Sequence, residues 1–134
     1  MQTRVDNFLK MAFEAIEKVD IDGKTFYKSK NPDVLIKEYK GYISSLGANI
    51  VQAGVRAAIT FYEAEEKGTA GDRRLVNAAI KYILTSPSEP VKKYSDCKLT
   101  QILPKEEDQL QQKALEIIDA ATALKLALRT YKLK

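Results

Sequence analysis

Apolar residues recur at helical steps along most of this chain. Val5, Leu9, Ala12, Ile16 and Val19 follow four- and three-residue steps, with Phe8 and Ala15 widening the stripe, which predicts a helix over Thr3–Val19. Thr3 followed by Asp6 gives it a start signal, an acceptor for orphan amides and a carboxylate at the positive helix end. DIDGKTFYKSKN then reads as turn and loop, where Asp22-Gly23 could close a short hairpin that must lean on helices. Asn31-Pro32 reads as a helix restart, an N-cap followed by a proline at the first helical position. The pattern continues through Leu35, Tyr39, Tyr42 and Leu46, and Gly47 is the expected break or bend.

GANIVQAGVRAAITFYEAEEK follows, with Gly47, Val51, Gly54, Ala58 and Phe61 on one face and Ile50, Val55, Ile59 and Tyr62 extending it. A mid-helix glycine costs about 1 kcal/mol relative to alanine, so so many small residues predict a central helix with Gly54 closely approached by another. Its opposite stripe, with Asn49, Gln52, Arg56, Thr60, Glu63 and Lys67, reads as a solvent face. Gly68 is the expected C-cap, and Asp72 the N-cap of a fourth helix carrying Leu75, Val76, Ala79, Ile80 and Ile83. SPSEP ends that helix, and a short helix is expected over Asp96–Leu103. The last helix opens on Glu106, Glu107 and Asp108 and closes on Arg129, Lys132 and Lys134, the charge order its dipole favours. Leu110, Ala114, Ile117, Ala121, Leu124, Leu128 and Tyr131 form its stripe. Alanine at two of those positions favours burial in an intramolecular bundle over a coiled coil. The expected fold is all-α, one domain over residues 1–134, a compact bundle of five or six helices. No sheet is expected beyond a hairpin at Asp22-Gly23.

Composition narrows the chemistry. The chain has 134 residues, 45% hydrophobic and 30% charged, an ordinary balance for one domain. It contains no histidine, which excludes His-dependent triads and His general bases, and its one cysteine, Cys97, cannot build a zinc site or an internal disulfide. Asp20 and Asp22 do not continue into a calcium loop, since the glycine falls too early and Asn31 stands at the closing position. Glu63, Glu65 and Glu66, and Glu106, Glu107 and Asp108, read as helix-end charges rather than metal ligands. GTAGDRR lacks the lysine and glycine spacing of a phosphate loop. The expectation is therefore a protein that is not an enzyme and has no cofactor or metal. No apolar run reaches membrane-spanning length and the N-terminal residues lack a signal-peptide core, so a cytoplasmic location is expected.

Net charge is +4, from 22 basic and 18 acidic side chains. Lys24, Lys28, Lys30, Lys37 and Lys40 crowd into seventeen positions, and Lys125, Arg129, Lys132 and Lys134 make the final stretch positive. A two-signed surface of this kind suits a subunit meeting both protein and phosphate. The nucleic-acid-binding candidates are Lys37, Lys40, Arg56, Lys81, Lys125 and Arg129, all expected on helices that fix the charge in place. Tyr27, Tyr94 and Tyr131 could stack on bases, but the sequence carries no aromatic-basic motif of a known single-strand module. The runner-up class is a helix-turn-helix DNA regulator, with GTAGDRRLVNAAIKY presenting Arg73, Arg74 and Asn77 to base edges.

LGANIVQAGVRAAITF, Leu46 to Phe61, resembles the signature of the small all-helical subunit of type III-B CRISPR effector (Cmr) complexes. Leu46, Ile50, Gln52, Gly54, Ala58 and Phe61 match that pattern. Gly47, Ala53 and Val55 stand where proline, asparagine and leucine are usual. The order of parts is similar too, from an N-terminal helix and lysine-rich loop to a final ALKLALRTYK stretch. The resemblance implies a non-catalytic subunit of an RNA-guided antiviral ribonucleoprotein, with cleavage carried elsewhere. It implies an inner filament, built with further copies of the chain, that braces the backbone subunits and the duplex of guide RNA and target RNA. The isolated chain is expected to be monomeric and to bind RNA feebly outside the assembly.

Overall fold

The structure, a computed structural model, describes residues 3–28, 31–64, 71–87 and 98–134. Among the described residues five α-helices carry it: α1 (Arg4–Lys18), α2 (Glu38–Ala53), α3 (Val55–Tyr62), α4 (Arg73–Thr85) and α5 (Glu107–Leu128). A 3-10 helix (Leu99–Ile102) precedes α5, and three short strands, β1 (Tyr27–Lys28), β2 (Asn31–Leu35) and β3 (Lys132–Leu133), make one small sheet. The all-α bundle read from periodicity is the fold, with this sheet added to it.

Local chemistry sets several boundaries. The Thr3 hydroxyl accepts from the Asp6 amide at 3.2 Å while the Asp6 carboxylate accepts from the Thr3 amide, a reciprocal capping box that starts α1. Asp72 caps α4 as expected, its carboxylate accepting from the Arg74 amide at 3.0 Å. Asp22 and Gly23 both have positive φ, 52° and 88°, and Ile21 and Lys24 exchange two backbone bonds of 2.9 Å. That is the expected tight turn, closed by a single bridge.

The restart at Asn31-Pro32 is overturned. Asn31–Leu35 is extended, antiparallel to β1 and parallel to β3, with Val34 opposite Lys132 and Leu35 opposite Leu133. A residue before proline is biased towards extended backbone, and a strand lets both Val34 and Leu35 be buried as the central strand of three. The expectation of no sheet beyond a hairpin falls with it. The last helix likewise stops at Leu128, where the Thr130 hydroxyl bonds the Ala127 carbonyl at 2.8 Å and the chain turns into β3.

The central helix expected over residues 47–67 is also corrected. α2 runs straight through Gly47, and the break falls at Gly54, whose φ of 95° and ψ of 156° lie where only glycine is comfortable. Nothing lies within 4 Å of where a Gly54 Cβ would stand, so this glycine serves the backbone and not a helix contact. The break rotates the two halves out of one stripe: Val51 is 79% exposed and Phe61 56%. Close approach occurs instead at Gly71, where a Cβ would meet ring carbons of Tyr39 and Tyr42 at 3.1 Å.

The centre belongs to α4 and α5. Every residue from Arg74 to Ile80 is buried, and α4 packs against the other four helices and the 3-10 helix. α5 packs against α1, α2 and α4, burying Leu110, Ala114, Ile117, Ala121, Leu124 and Leu128 of the predicted stripe. Ala120, Ala123 and Ala127 widen that surface, and their small side chains let the helix backbones approach. The short helix expected over Asp96–Leu103 is the 3-10 turn. Gly68 and Cys97 fall outside the described residues.

Candidate nucleic-acid interface

The six candidate cations fall into groups set by the fold. Arg56 is the second residue of α3, and its side chain is about half exposed. Nη2 donates to the carbonyls of Lys105 at 3.0 Å and Pro104 at 3.4 Å, and Nη1 stands 3.8 Å from a Glu107 carboxylate oxygen. One edge of the guanidinium therefore holds the loop that leads into α5. Lys81, on α4, donates to Gln101 Oε1 at 2.6 Å on the 3-10 helix. The same segment is held again where the Thr100 amide donates to Glu63 Oε1 at 3.3 Å. Arg56 and Lys81 thus flank one segment, residues 98–105, and both spend donors on it.

Lys37 sits at the other junction. It is the residue before α2, not inside a helix as expected, and its amide donates to the Lys134 carbonyl at 3.2 Å. The Lys134 amide donates in turn to Leu35 at 3.1 Å. This pairing sets Lys37 beside the final lysines, a neighbourhood that sequence reading missed because strand pairing across about a hundred residues leaves no local signal. Lys40 lies exposed in the first turn of α2. Arg129 caps α5 and is exposed, while Lys125, one turn earlier, is half-buried. Among the described residues, the side chains of Lys37, Lys40, Lys125, Arg129, Lys132 and Lys134 make no hydrogen bond or ion pair. Lys37 and Lys40 stand at the positive end of α2, where cations oppose the helix dipole. Helix stability does not account for them there.

The residues of the runner-up reading are committed inward. Arg74 is buried and donates to both Asp72 carboxylate oxygens, at 2.6 Å in the shortest contact. Asn77 is fully buried, its amide nitrogen donating to the Ile59 carbonyl at 3.1 Å. The Arg73 guanidinium lies over the rings of Tyr42, Phe61 and Tyr62, at 4.9, 5.5 and 5.9 Å from their centroids. Arg74 and Asn77 are not presented to base edges, so the helix-turn-helix reading loses its recognition surface. Tyr27 and Tyr131 are engaged as well: both hydroxyls donate to Glu17 Oε1, at 2.5 and 2.7 Å. Burial, with Glu17 beside it, pushes the Tyr131 hydroxyl well above the ordinary tyrosine range. Tyr94 lies outside the described residues.

Asp72 is held by several partners at once. Burial alone would raise its pKa, but the Arg74 side chain and amide, with Lys24 at 3.4 Å, outweigh burial and hold it below the usual carboxylate range. Its own amide donates to the Tyr39 hydroxyl at 3.0 Å, and burial drives that phenol well above its usual range. This cluster ties the Ile21–Lys24 turn, α2 and α4 together and serves the fold. Among the described residues no group of three or more carboxylate or thiol side chains converges as a metal site, and no helix is long and apolar enough to cross a membrane.

No curated protein and no solved structure gives a significant match to the chain. The family model described as CRISPR-associated protein (Cas_Cmr5) matches residues 6–128, from the first turn of α1 to the last residue of α5. The chain belongs to that family, as a small subunit of a type III-B CRISPR complex.

Proposed function

We propose that this chain is a non-catalytic subunit of its Cmr complex, joining further copies of itself in an inner filament that braces the backbone subunits and the duplex of guide and target RNA. The observation that carries the reading is the family match over nearly the whole helical domain. Two surface features support it. Lys37, Lys40, Arg129, Lys132 and Lys134 are exposed, with side chains uncommitted among the described residues, as phosphate contacts require. Leu115 and Leu126 are 58% and 42% exposed on α5, and eleven residues bring them to within about 20° of one face. An apolar pair on the outside of a buried helix suits a protein-facing surface.

Affinity isolation of the tagged chain from its native cell tests this reading. Other Cmr subunits and a short guide RNA should co-purify with it. The purified chain alone should hydrolyse neither RNA nor nucleotides with any divalent metal supplied. In reconstituted complex, K40E combined with R129E should weaken target-RNA retention equally across sequences while the complex still assembles. Isolation of the chain without those subunits, or a turnover lost on changing Glu63, Glu106 or Asp108, would overturn the proposal.

A further inference from the structure

We infer that Gly54 is a hinge through which two copies of this chain exchange halves, α2 and α3 becoming one continuous helix in each copy. The exchange is a property of the free chain and needs neither RNA nor other subunits. Little separates the broken helix from a straight one. Helical bonds reach the joint from both sides, the Gly54 amide donating to Ile50 and the Gly54 carbonyl accepting from Ala58, each at 3.1 Å. α2 ends at Ala53 and α3 begins at Val55, so the torsions of one residue make the whole break. With Gly54 returned from φ 95° and ψ 156° to helical values, the amides of Val55, Arg56 and Ala57 would meet the carbonyls of Val51, Gln52 and Ala53. The stripe of Gly47, Val51, Gly54, Ala58 and Phe61 already suits that straight helix, over residues 38–62.

A lone copy cannot straighten, because the change carries α3 off the core and strips Val55, Ala58, Ile59 and Tyr62 of cover. The Tyr62 hydroxyl would leave the Tyr42 carbonyl, which it meets at 2.6 Å, and the Ile59 carbonyl would leave the amide of buried Asn77. A second copy restores these contacts. Gly54 divides the fold into two parts that complete each other: α1 packs on α4 and α5, α2 packs on α3, α4 and α5, and β2 pairs with β3. Those contacts are the same whether the second part belongs to the same chain or to another. Exchange therefore keeps the packing and adds the missing helical bonds at each joint.

Each chain crosses from one unit to the other at its joint, so the two joints meet beside the two-fold axis. Val51, 79% exposed in the closed chain, gains cover there, and the small Ala53 and Gly54 let the two helices approach. The opposing term is the freedom lost when two molecules become one. Closed copies therefore prevail in dilute solution, and exchanged pairs form as concentration rises.

Size-exclusion chromatography of the full chain over a range of concentrations tests this, with G54A beside wild type. Alanine is strained in the closed torsions and at ease in a helix, by about tenfold per joint, so G54A should tighten the dimer about a hundredfold. Two glycines inserted after Gly54 should keep the chain monomeric, because a slack joint gains no helix by straightening. Exchange is told from ordinary association with two chains, one carrying R4C and the other D119C, both with C97S and with Gly54 retained. Arg4 and Asp119 stand 2.7 Å apart across the two parts. A short bismaleimide should therefore join an R4C chain to a D119C chain once the two are unfolded together and refolded at high concentration, but not when folded chains are simply mixed dilute. That arm decides the matter even where G54A fails to fold. Concentrated refolding that yields no joined pair would overturn the inference, and so would a folded G54A chain that stays monomeric at every concentration.

Discussion

Three glycines show how differently one residue type is used. Gly47 lies inside α2 with open space where a Cβ would go, so G47A should stabilise the protein by about 0.5–1 kcal/mol. Gly54 also faces open space, but its φ of 95° is denied to side chains with a Cβ, and G54A should cost about 1–3 kcal/mol. Gly71 has the opposite problem, since a methyl there would stand 3.1 Å from the rings of Tyr39 and Tyr42. Tyr39 is buried and its hydroxyl is bonded to the Asp72 amide, so the ring has little room to yield and G71A should cost about 1–3 kcal/mol. Urea unfolding of the three variants should give one gain and two losses; equal stability of G54A and wild type would remove the strain argument. Periodicity alone could not assign these roles. It shows where small residues stand, but not whether space, torsion or neither requires them.

At the level of elements, helices with local signals were readable and the sheet was not. α1, α4 and α5 carry apolar stripes, with capping side chains at Thr3 and Asp72, so each is specified by residues within a few turns. β2 depends on a two-residue strand just before it and another at the chain's far end, and neither is visible as a pattern. The site divides in the same way. That Arg56, Lys40 and Arg129 are exposed was legible, but the Arg56 bonds to the loop before α5 and the meeting of Lys37 with Lys134 arise only from tertiary contact. Asp72 joins elements that sequence left separate, and it makes their joint stability depend on pH. Its folded pKa lies below the ordinary value, so the unfolded chain binds more protons in acid. The contribution is complete above about pH 4 and is lost as pH falls through the folded value. D72N keeps a capping side chain but leaves Arg74 buried without its carboxylate, and should cost about 3–5 kcal/mol at neutral pH. The difference between wild type and D72N should narrow below pH 4; a constant difference down to pH 2 would mean that the ion pair is not what holds the turn, α2 and α4 together.

For the whole molecule, the decisive question is which surfaces serve the fold and which serve a partner. The inward faces of α4 and α5 account for much of the core, yet α5 also turns Leu115 and Leu126 outward, with Ile118 half-buried and Thr122 exposed between them. Of that line only Ile118 packs against the core, because the helices packed against α5 meet its alanine-rich side. Exposed leucines gain little for an isolated monomer, so replacing both with glutamate should change its unfolding free energy by no more than about 0.5 kcal/mol. In a filament each would be covered by a neighbour, and burial of a leucine side chain is worth about 1.5–3 kcal/mol. L115E combined with L126E should therefore leave the monomer folded, with an unchanged helical circular dichroism spectrum, while reducing its recovery in reconstituted complexes more than tenfold. The cation changes K40E and R129E should do the reverse, sparing assembly and weakening RNA retention. If the leucine variant assembles as well as wild type, α5's outer face is plain solvent surface, and Val51 and Phe61, exposed on α2 and α3, are the next apolar positions to change.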